Sequence, residues 1–343
     1  MEFIGELAAI GNMVFSGIAT VIVKSQGKDI KPTALILIQA IVSSVSFIVI
    51  VSAMGSFLDM FKIPWQALLL LIGAALFGII FGNFIYFTSL QLIGVSKAYP
   101  ISMTYPLLTY ILEVIIFPEV TFNWLKLIGI VVVIIGVVFI SLSKVNNNNI
   151  NQVTEIPEIN ESISPDEKSI DLMENDENKI TELKIQSIEK QSIFKSKMVI
   201  GIILALITTI TWSSGTIMIK YGLTIIDNDI AIIPINAARM TLLVPFSVVI
   251  FFSANRGNNK SKFTWKSILL VSVAAILSLV VSNILYLISI NLIGASTPAA
   301  IAASGPLIAT PISILFLKEK VDWKIILGTL FTIGGIIMII FLG

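Results

Sequence analysis

The sequence repeats itself at a constant separation of 200 residues, and this repetition constrains the fold more than any other feature. The segment 65–119 matches the segment 265–319, with identical residues in pairs along its length. The pairs are Trp65/Trp265, Ala74-Ala75/Ala274-Ala275, Asn83/Asn283, Tyr86/Tyr286, Ser89/Ser289, Leu92-Ile93-Gly94/Leu292-Ile293-Gly294, Ser96/Ser296, Pro106-Leu107/Pro306-Leu307 and Glu119/Glu319. Internal duplication of this kind in an apolar chain is typical of transporters.

Composition predicts that the duplicated chain lies in a membrane. Hydrophobic residues make up 56% and charged residues only 13% of the sequence, and the mean hydropathy is +0.97. A soluble globular chain carries roughly a quarter of its residues as charges. The chain is therefore expected to be an integral membrane protein whose solvent is largely lipid.

Ten apolar stretches are long enough to cross the hydrocarbon core, and each is expected to be a helix because lipid leaves backbone groups no other partner. None alternates as a barrel strand would. We expect an all-α membrane protein with ten spans at approximately 3–23, 33–52, 65–90, 98–117, 125–143, 198–219, 231–252, 265–290, 297–317 and 325–342.

A polar segment at 144–197 separates two groups of five spans, at 1–143 and 198–343. It holds eleven Asp or Glu residues between Glu155 and Glu189, and such a composition predicts a disordered linker. A short interfacial helix with Ile180, Leu183 and Ile188 on one face is the alternative.

An odd number of spans in each group requires the second copy to insert upside down relative to the first. The sequence therefore predicts two inverted five-helix repeats that meet at a pseudo-two-fold axis in the membrane plane. Lys and Arg near span ends number fourteen on the linker side and three on the other, namely Lys62, Lys126 and Lys220. The positive-inside rule then predicts a cytoplasmic linker, with both termini outside and the protein in the cytoplasmic membrane.

Two matching turns carry a resemblance to a known family. The first is Gly94-Val95-Ser96-Lys97-Ala98, which leads through Pro106 to Pro118-Glu119, and the second is Gly294-Ala295-Ser296, which leads through Pro306 to Phe316-Leu317-Lys318-Glu319-Lys320. Apart from the linker, the chain resembles the drug/metabolite transporter superfamily, specifically its EamA-type proteins. The resemblance implies alternating-access transport of small metabolites, often amino acids, without ATP hydrolysis. In one departure from the family pattern, the Arg expected early in the second span is Arg239 in one copy and Gln39 in the other.

Polar residues in the spans fall into stripes that predict a substrate pathway, because intramembrane polar groups face protein or water rather than lipid. Residues three or four apart share a helix face. The predicted pathway residues are Asn12, Ser16 and Thr20; Asn83 and Tyr86; Ser102, Thr109 and Glu113; Thr208, Trp212 and Thr216; Arg239; and Asn283 and Tyr286. The alternative is that the Ser, Thr and Asn residues hold helices together, as they do in any membrane bundle.

Two ionisable residues within the spans each have a functional and a structural interpretation. Glu113 could bind a cationic group or carry a coupling proton, or it could pair locally near the interface. Arg239 could clamp a carboxylate or phosphate, or it could bind backbone carbonyls. Glu119 and Glu319 lie at span ends, where boundary roles are expected.

Residue types and motifs that are absent from the sequence argue against some classes of function. Without His or Cys the chain has little material for an enzyme, and without a P-loop motif it is not expected to be an ATP-driven pump. We expect no cofactor, metal or nucleic acid, and as partners a small-molecule substrate, the bilayer and a coupling proton or sodium ion. Alternative functions are transport of sugar phosphates, nucleotide sugars or cationic drugs, and a receptor or scaffold. The glycines at 129, 136, 328, 334 and 335 suit close helix contact within the chain or in a homodimer.

Overall fold

The computed structural model describes residues 2–26, 32–142, 170–226, 230–254, 264–317 and 323–342. Within these ranges the chain is helical and contains no strand, which confirms the all-α prediction. Nine helical stretches in the described ranges are long and apolar enough to cross a membrane. A tenth span, at the position expected from the repeat, consists of two shorter helices described below.

The helices of the first repeat are α1 (Glu2–Gln26), α2 (Pro32–Ala53), α3 (Trp65–Ala75), α4 (Asn83–Ile93), α5 (Val95–Ser102), α6 (Tyr105–Ile116) and α7 (Trp124–Leu142). Those of the second are α8 (Ile170–Ile225), α9 (Ile232–Ala254), α10 (Trp265–Ala275), α11 (Ser282–Ile293), α12 (Ser296–Ala303), α13 (Pro306–Leu317) and α14 (Trp323–Phe341). A 3₁₀ turn at Phe57–Lys62 precedes α3.

The spans expected at 98–117 and 297–317 are each broken in the middle, where the sequence analysis assumed continuous helices. α5 ends and α6 begins on either side of a turn just before Pro106, and α12 and α13 are separated in the same way before Pro306. The cause is proline, which lacks an N–H and whose ring clashes with the preceding helical turn. Each repeat therefore contributes two half-helices, an arrangement that places free helix ends inside the membrane.

The third span of each repeat contains a π-helical turn, which the sequence analysis did not foresee. It covers Leu76–Gly82 between α3 and α4, and Ile276–Val281 between α10 and α11. The Trp212 indole N–H donates to a carbonyl of the first of these turns, that of Gly78, over 3.1 Å. Turns of this kind are frequent at functional sites.

The two repeats run in opposite directions, as the odd number of spans predicts. α8 gives a reference direction, because Gly201 lies early and Lys220 late in its membrane-spanning part. The third span of the first repeat ends beside Gly201, where the Ser89 hydroxyl donates to the Gly201 carbonyl over 2.7 Å. The equivalent span of the second repeat ends beside Lys220, because Lys220 and the Ala295 N–H both donate to the Glu113 carboxylate. Equivalent spans end on opposite sides, which confirms the inverted repeat.

The first span of each repeat packs within the other repeat. α1 lies against α10, α11, α12 and α13, and its counterpart α8 lies against α3, α4, α5 and α6. The remaining twins pair with each other, α2 with α9 and α7 with α14. This exchange joins the repeats into one helical body, with their junction at its centre.

Glycines bring α7 and α14 into backbone contact. A Cβ at Gly136 would lie 2.6 Å from the Gly328 carbonyl oxygen, and one at Gly335 would lie 2.8 Å from that of Gly129. Among the glycines considered as a dimer face, these four are used within the chain, whereas a Cβ at Gly334 would meet no other part of the described chain within 4 Å.

Four of the five tryptophans mark span ends. Trp65, Trp124, Trp265 and Trp323 are the first residues of α3, α7, α10 and α14, and all are more than half exposed. Such rings prefer the membrane interface. The fifth, Trp212, lies at the repeat junction.

α8 begins at Ile170, inside the segment that we expected to be a disordered linker. Residues 170–197 are thus helical, and the rest of that segment, 144–169, lies outside the described residues. The difference has a physical reason, since a helix that extends from an existing span bears no nucleation cost.

Candidate functional site

Arg239 is a buried cation with an incomplete set of partners. It lies on α9 with 3% of its surface exposed, and its Nη1 donates to Asn283 Oδ1 over 2.9 Å. Its Nε has no hydrogen-bond partner, and no ion pair joins it to a carboxylate in the described part of the chain. A buried charge is costly unless an opposite charge or a full set of hydrogen bonds compensates it.

Asn236 adds a second unsatisfied polar group one turn before Arg239. Its side chain is fully buried, and neither its amide nitrogen nor its amide oxygen has a hydrogen-bond partner among the described residues. Residues three apart share a helix face, so both side chains lie on the same side of α9. Donors at this position are available to a ligand oxygen.

Asn283 and Tyr286 connect this cation to the repeat junction. They lie three residues apart on α11 and therefore share a helix face. The Tyr286 hydroxyl lies 3.1 Å from the Thr216 hydroxyl on α8. A polar chain therefore runs from α9 through α11 to α8.

An aromatic cluster lies next to this polar chain. The Trp212 ring centroid is 5.2 Å from that of Tyr86 and 5.6 Å from that of Tyr105, and Tyr86 is 6.4 Å from Tyr99. The Tyr105 hydroxyl donates to the Ala299 carbonyl of α12 over 2.9 Å. The tyrosines belong to the first repeat and Trp212 to the second, so both repeats contribute to this surface.

The arrangement suits an anionic group joined to an apolar or aromatic body. A guanidinium forms paired hydrogen bonds with a carboxylate, and the Asn236 amide adds further capacity. Aromatic faces supply apolar contact area. Of the predicted pathway residues, the structure brings together Tyr86, Trp212, Thr216, Arg239, Asn283 and Tyr286.

The other predicted pathway residues make contacts typical of helix packing. The Asn12 amide donates to the Ser282 hydroxyl over 2.7 Å and to its carbonyl over 3.0 Å, which joins α1 to the eighth span. The Ser102 hydroxyl donates to the Ala205 carbonyl over 3.4 Å. Hydroxyls that donate to a carbonyl one turn earlier in their own helix belong to Ser16, Thr20, Thr109 and Thr208.

The first repeat does not reproduce the Arg239 contact. Asn83 is half-buried and no hydrogen bond joins it to Gln39, the twin of Arg239, in the described structure. The two halves of the junction therefore differ chemically, as the departure from the family pattern indicates.

Glu113 is buried and fully partnered at one end of the molecule. Its Oε1 accepts from Lys220 Nζ over 2.9 Å and from the Ala295 N–H over 2.5 Å, and its Oε2 accepts from the Ser296 N–H over 3.0 Å. Gly294 allows this approach, because its φ is +83° and a Cβ there would lie 2.5 Å from Oε1. These contacts join α6 of the first repeat to α8 and α12 of the second, and correspond to the local pairing considered for Glu113.

Lys220, Tyr105 and Asn236 belong to these clusters but are not among the pathway residues predicted from the sequence. Lys220 lies four residues after Thr216 and extends the polar stripe of α8 by one turn. Asn236 precedes Arg239 by one turn, so a helical projection of α9 would have shown it.

Comparison with known proteins gives a family and a fold. The model of the EamA-like transporter family matches residues 3–142 and 199–341. Among the solved structures 27 chains match; one, described as the crystal structure of a protein, aligns with 97% of this chain and 95% of its own at 13% identity and a TM-score of 0.70. At this identity the likeness shows the fold alone. A search of curated proteins finds no match.

Proposed function

Because the chain belongs to the EamA-like transporter family, and so is a multi-pass membrane transporter of the drug/metabolite transporter superfamily, we propose that it exports small organic metabolites bearing a carboxylate, such as amino acids. Transport proceeds by alternating access around the repeat junction. The cytoplasmic membrane is the proposed location.

The incomplete coordination of Arg239 is the observation that carries this proposal. A guanidinium with an unpartnered Nε and no neighbouring carboxylate in the described chain is the group that a substrate carboxylate would complete. The substrate's body would then lie against Trp212 and the adjacent tyrosines.

Alternating access follows from the origin of the site in both repeats. Tyr86 and Tyr105 come from the first repeat, and Trp212, Arg239 and Tyr286 from the second. Rocking of inverted repeats around a fixed central site is a general mechanism of secondary transporters. Export against a gradient requires a coupling ion, and a proton and sodium are the two candidates.

The alternative substrates have less support at this site. Cationic drugs would need an unoccupied carboxylate, whereas Glu113 already accepts three hydrogen bonds. Sugar phosphates and nucleotide sugars carry more negative charge than the single guanidinium of Arg239 balances.

Thermal unfolding of the purified protein against four ligand classes tests the proposal. The classes are amino acids, sugar phosphates, nucleotide sugars and cationic drugs. A ligand at about 100 times its Kd stabilises the folded state by about 2.7 kcal/mol, which is a readable shift. We expect the amino acids to raise the unfolding temperature, and proteoliposomes with imposed proton or sodium gradients to export them.

Arg239→Gln is the decisive variant, because it installs the residue found at the twin position. We expect it to weaken carboxylate binding by roughly tenfold or more, as loss of one hydrogen bond between charged groups does. Gln39→Ala is the matched control and should leave the shift intact. Stabilisation by cationic drugs alone, or full affinity for carboxylates in Arg239→Gln, contradicts the proposal.

A further inference from the structure

The Glu113 cluster, consisting of Glu113, Lys220 and the N–H groups of Ala295 and Ser296, holds the two repeats together at one end. The carboxylate belongs to α6 of the first repeat, and all three donors belong to the second. Its position before α12 also places a negative charge at the positive end of the helix dipole. Separation of α6 from α8 and α12 would break every one of these contacts.

Apolar and charged neighbours surround this cluster. Phe117, Ile217 and Ala295 form a small buried group, and Lys220 Nζ lies 4.2 Å from the centre of the Phe117 ring. Lys126 on α7 interacts electrostatically with Glu113. Glu113 itself is only 1% exposed. Exclusion of water strengthens the ion pair and makes an unpaired Glu113 unfavourable.

The cluster lies at the end of the molecule where α3 begins and α8 ends. Ile63, which precedes α3, shares an apolar cluster with Leu223 and Ile226 at the end of α8. The Ser89–Gly201 contact lies at the opposite end. The positive-inside rule predicts that the Glu113 end faces outward.

The duplication does not reproduce the carboxylate. At a separation of 200 residues the twin of Glu113 is Ser313, whereas Gly294 and Ser296 have the identical twins Gly94 and Ser96. Lys220 matches Lys24 at a separation of 196 residues. In an inverted repeat the two ends are equivalent except where the copies differ. Glu113 therefore makes the two ends energetically unequal.

We propose that the Glu113 cluster is the outer gate of the transporter, and that it biases the resting protein towards closure at this end. Glu113 is a positioning residue, since it fixes α12 against α6 and α8 rather than binding substrate. The inference rests on the proposed transport function and adds a direction to it: the resting site opens at the opposite end, predicted to be cytoplasmic, and loads substrate there before export. The driving force still comes from the coupling gradient, because the cluster sets only the relative population of the two states.

Cysteine accessibility tests this gate without a substrate, because the natural chain contains no cysteine. Ser296→Cys is the reporter: its side chain is buried beside Glu113, and the substitution keeps the backbone N–H that binds Glu113. The rate of labelling by a membrane-impermeant maleimide is measured on whole cells that express the reporter. Glu113→Gln should raise this rate by about tenfold or more, the effect of losing one hydrogen bond between charged groups.

Two further variants make the test specific. Glu119→Gln removes an exposed carboxylate six residues further along and should leave labelling unchanged. Lys220→Met breaks the ion pair but leaves both backbone hydrogen bonds, so it tests the gate if Glu113→Gln does not fold. The double variant should label no faster than Glu113→Gln alone, because both changes remove the same contact.

The labelling results test the gate independently of the proposed substrate. Faster labelling in Glu113→Gln, with Glu119→Gln unchanged, supports the gate, and Lys220→Met takes its place only if Glu113→Gln does not fold. Unchanged labelling in that deciding variant, or equal acceleration in Glu119→Gln, overturns it. Neither result depends on which substrate is carried. If no substrate binds in the unfolding assay but labelling responds, the transport proposal fails while the gate contact stands.

Discussion

Two buried charged side chains, Glu113 and Arg239, differ in how completely they are hydrogen-bonded. Glu113 accepts hydrogen bonds at both oxygens, and such complete coordination offsets much of the cost of burying a carboxylate. Arg239 has one described hydrogen bond and an unpartnered Nε. We therefore assign Glu113 to the mechanics of the protein and Arg239 to its ligand.

The sequence predicted part of this chemistry because polar residues in lipid are conspicuous. Arg239, Asn283 and Tyr286 stood out within apolar spans, and their helical spacing put the last two on one face. The partner of Glu113 could not be derived in the same way. Lys220 follows Glu113 by 107 residues, and only the packing of α8 against α6 brings them together.

Substitution of Asn12 distinguishes the two interpretations of the polar stripes, a substrate pathway and helix packing. We expect Asn12→Ala to lower stability by about 0.6–1.7 kcal/mol, the range for hydrogen bonds between membrane helices, without changing substrate affinity. The reason is its contact with Ser282, which binds one helix to another. Thermal unfolding in detergent with Asn12→Ala, Ser282→Ala and the double variant measures the coupling. Lost substrate binding at unchanged stability would instead place Asn12 in the pathway.

At the scale of elements, the sequence predicted the spans better than their interior. Hydropathy located the ends of the third span, because lipid thickness sets its length. It did not predict the π-helical turn at Leu76–Gly82, because that turn is as apolar as the helix around it. The break before Pro306 had a visible signal in proline, but membrane helices also tolerate proline as a kink, so the sequence allowed both outcomes.

The α7–α14 contact supplies a prediction with a control, Gly334, that lies next to the contact glycine Gly335 in the sequence. A Cβ at Gly136 would lie 2.5 Å from the Thr332 nitrogen, so we expect Gly136→Ala to destabilise the protein by roughly 1–3 kcal/mol. Gly334 has no neighbour within 4 Å, and we expect Gly334→Ala to change stability by no more than about 0.5 kcal/mol. Unfolding temperatures of the two variants in one detergent make the comparison. Equal losses would mean that the contact between the two helices is looser than described.

At the scale of the whole molecule, the duplication predicted the inverted repeat but not how the repeats interlock. Counting five spans on each side of the linker determines relative direction. Nothing in that count shows that α1 and α8 each pack within the other repeat, because apolar faces of similar composition can pair in several ways. The exchange became visible only in contacts between helices.

Orientation in the membrane remains a prediction, and the absence of natural cysteine makes it directly measurable. Ser164→Cys, in the segment between the repeats, should react with an impermeant maleimide only after the cells are opened. Leu58 is 71% exposed and lies four residues before Lys62. A cysteine in its place, Leu58→Cys, should therefore react on intact cells. The physical reason is the excess of Lys and Arg on the side of residue 164. The reverse pattern of labelling would invert the topology and turn the proposed outer gate into an inner one.

The backbone contact between α7 and α14 has a mechanical consequence for the transport cycle. Glycines opposite carbonyl groups bring the two backbones so close that neither helix has room to slide along the other. A pair of this kind behaves as a fixed pivot, about which the rest of each repeat can tilt. Small rotations at a pivot become large displacements far from it. Conformational change should therefore be smallest where the chain is most tightly packed, and greatest in the half-helices that border the substrate.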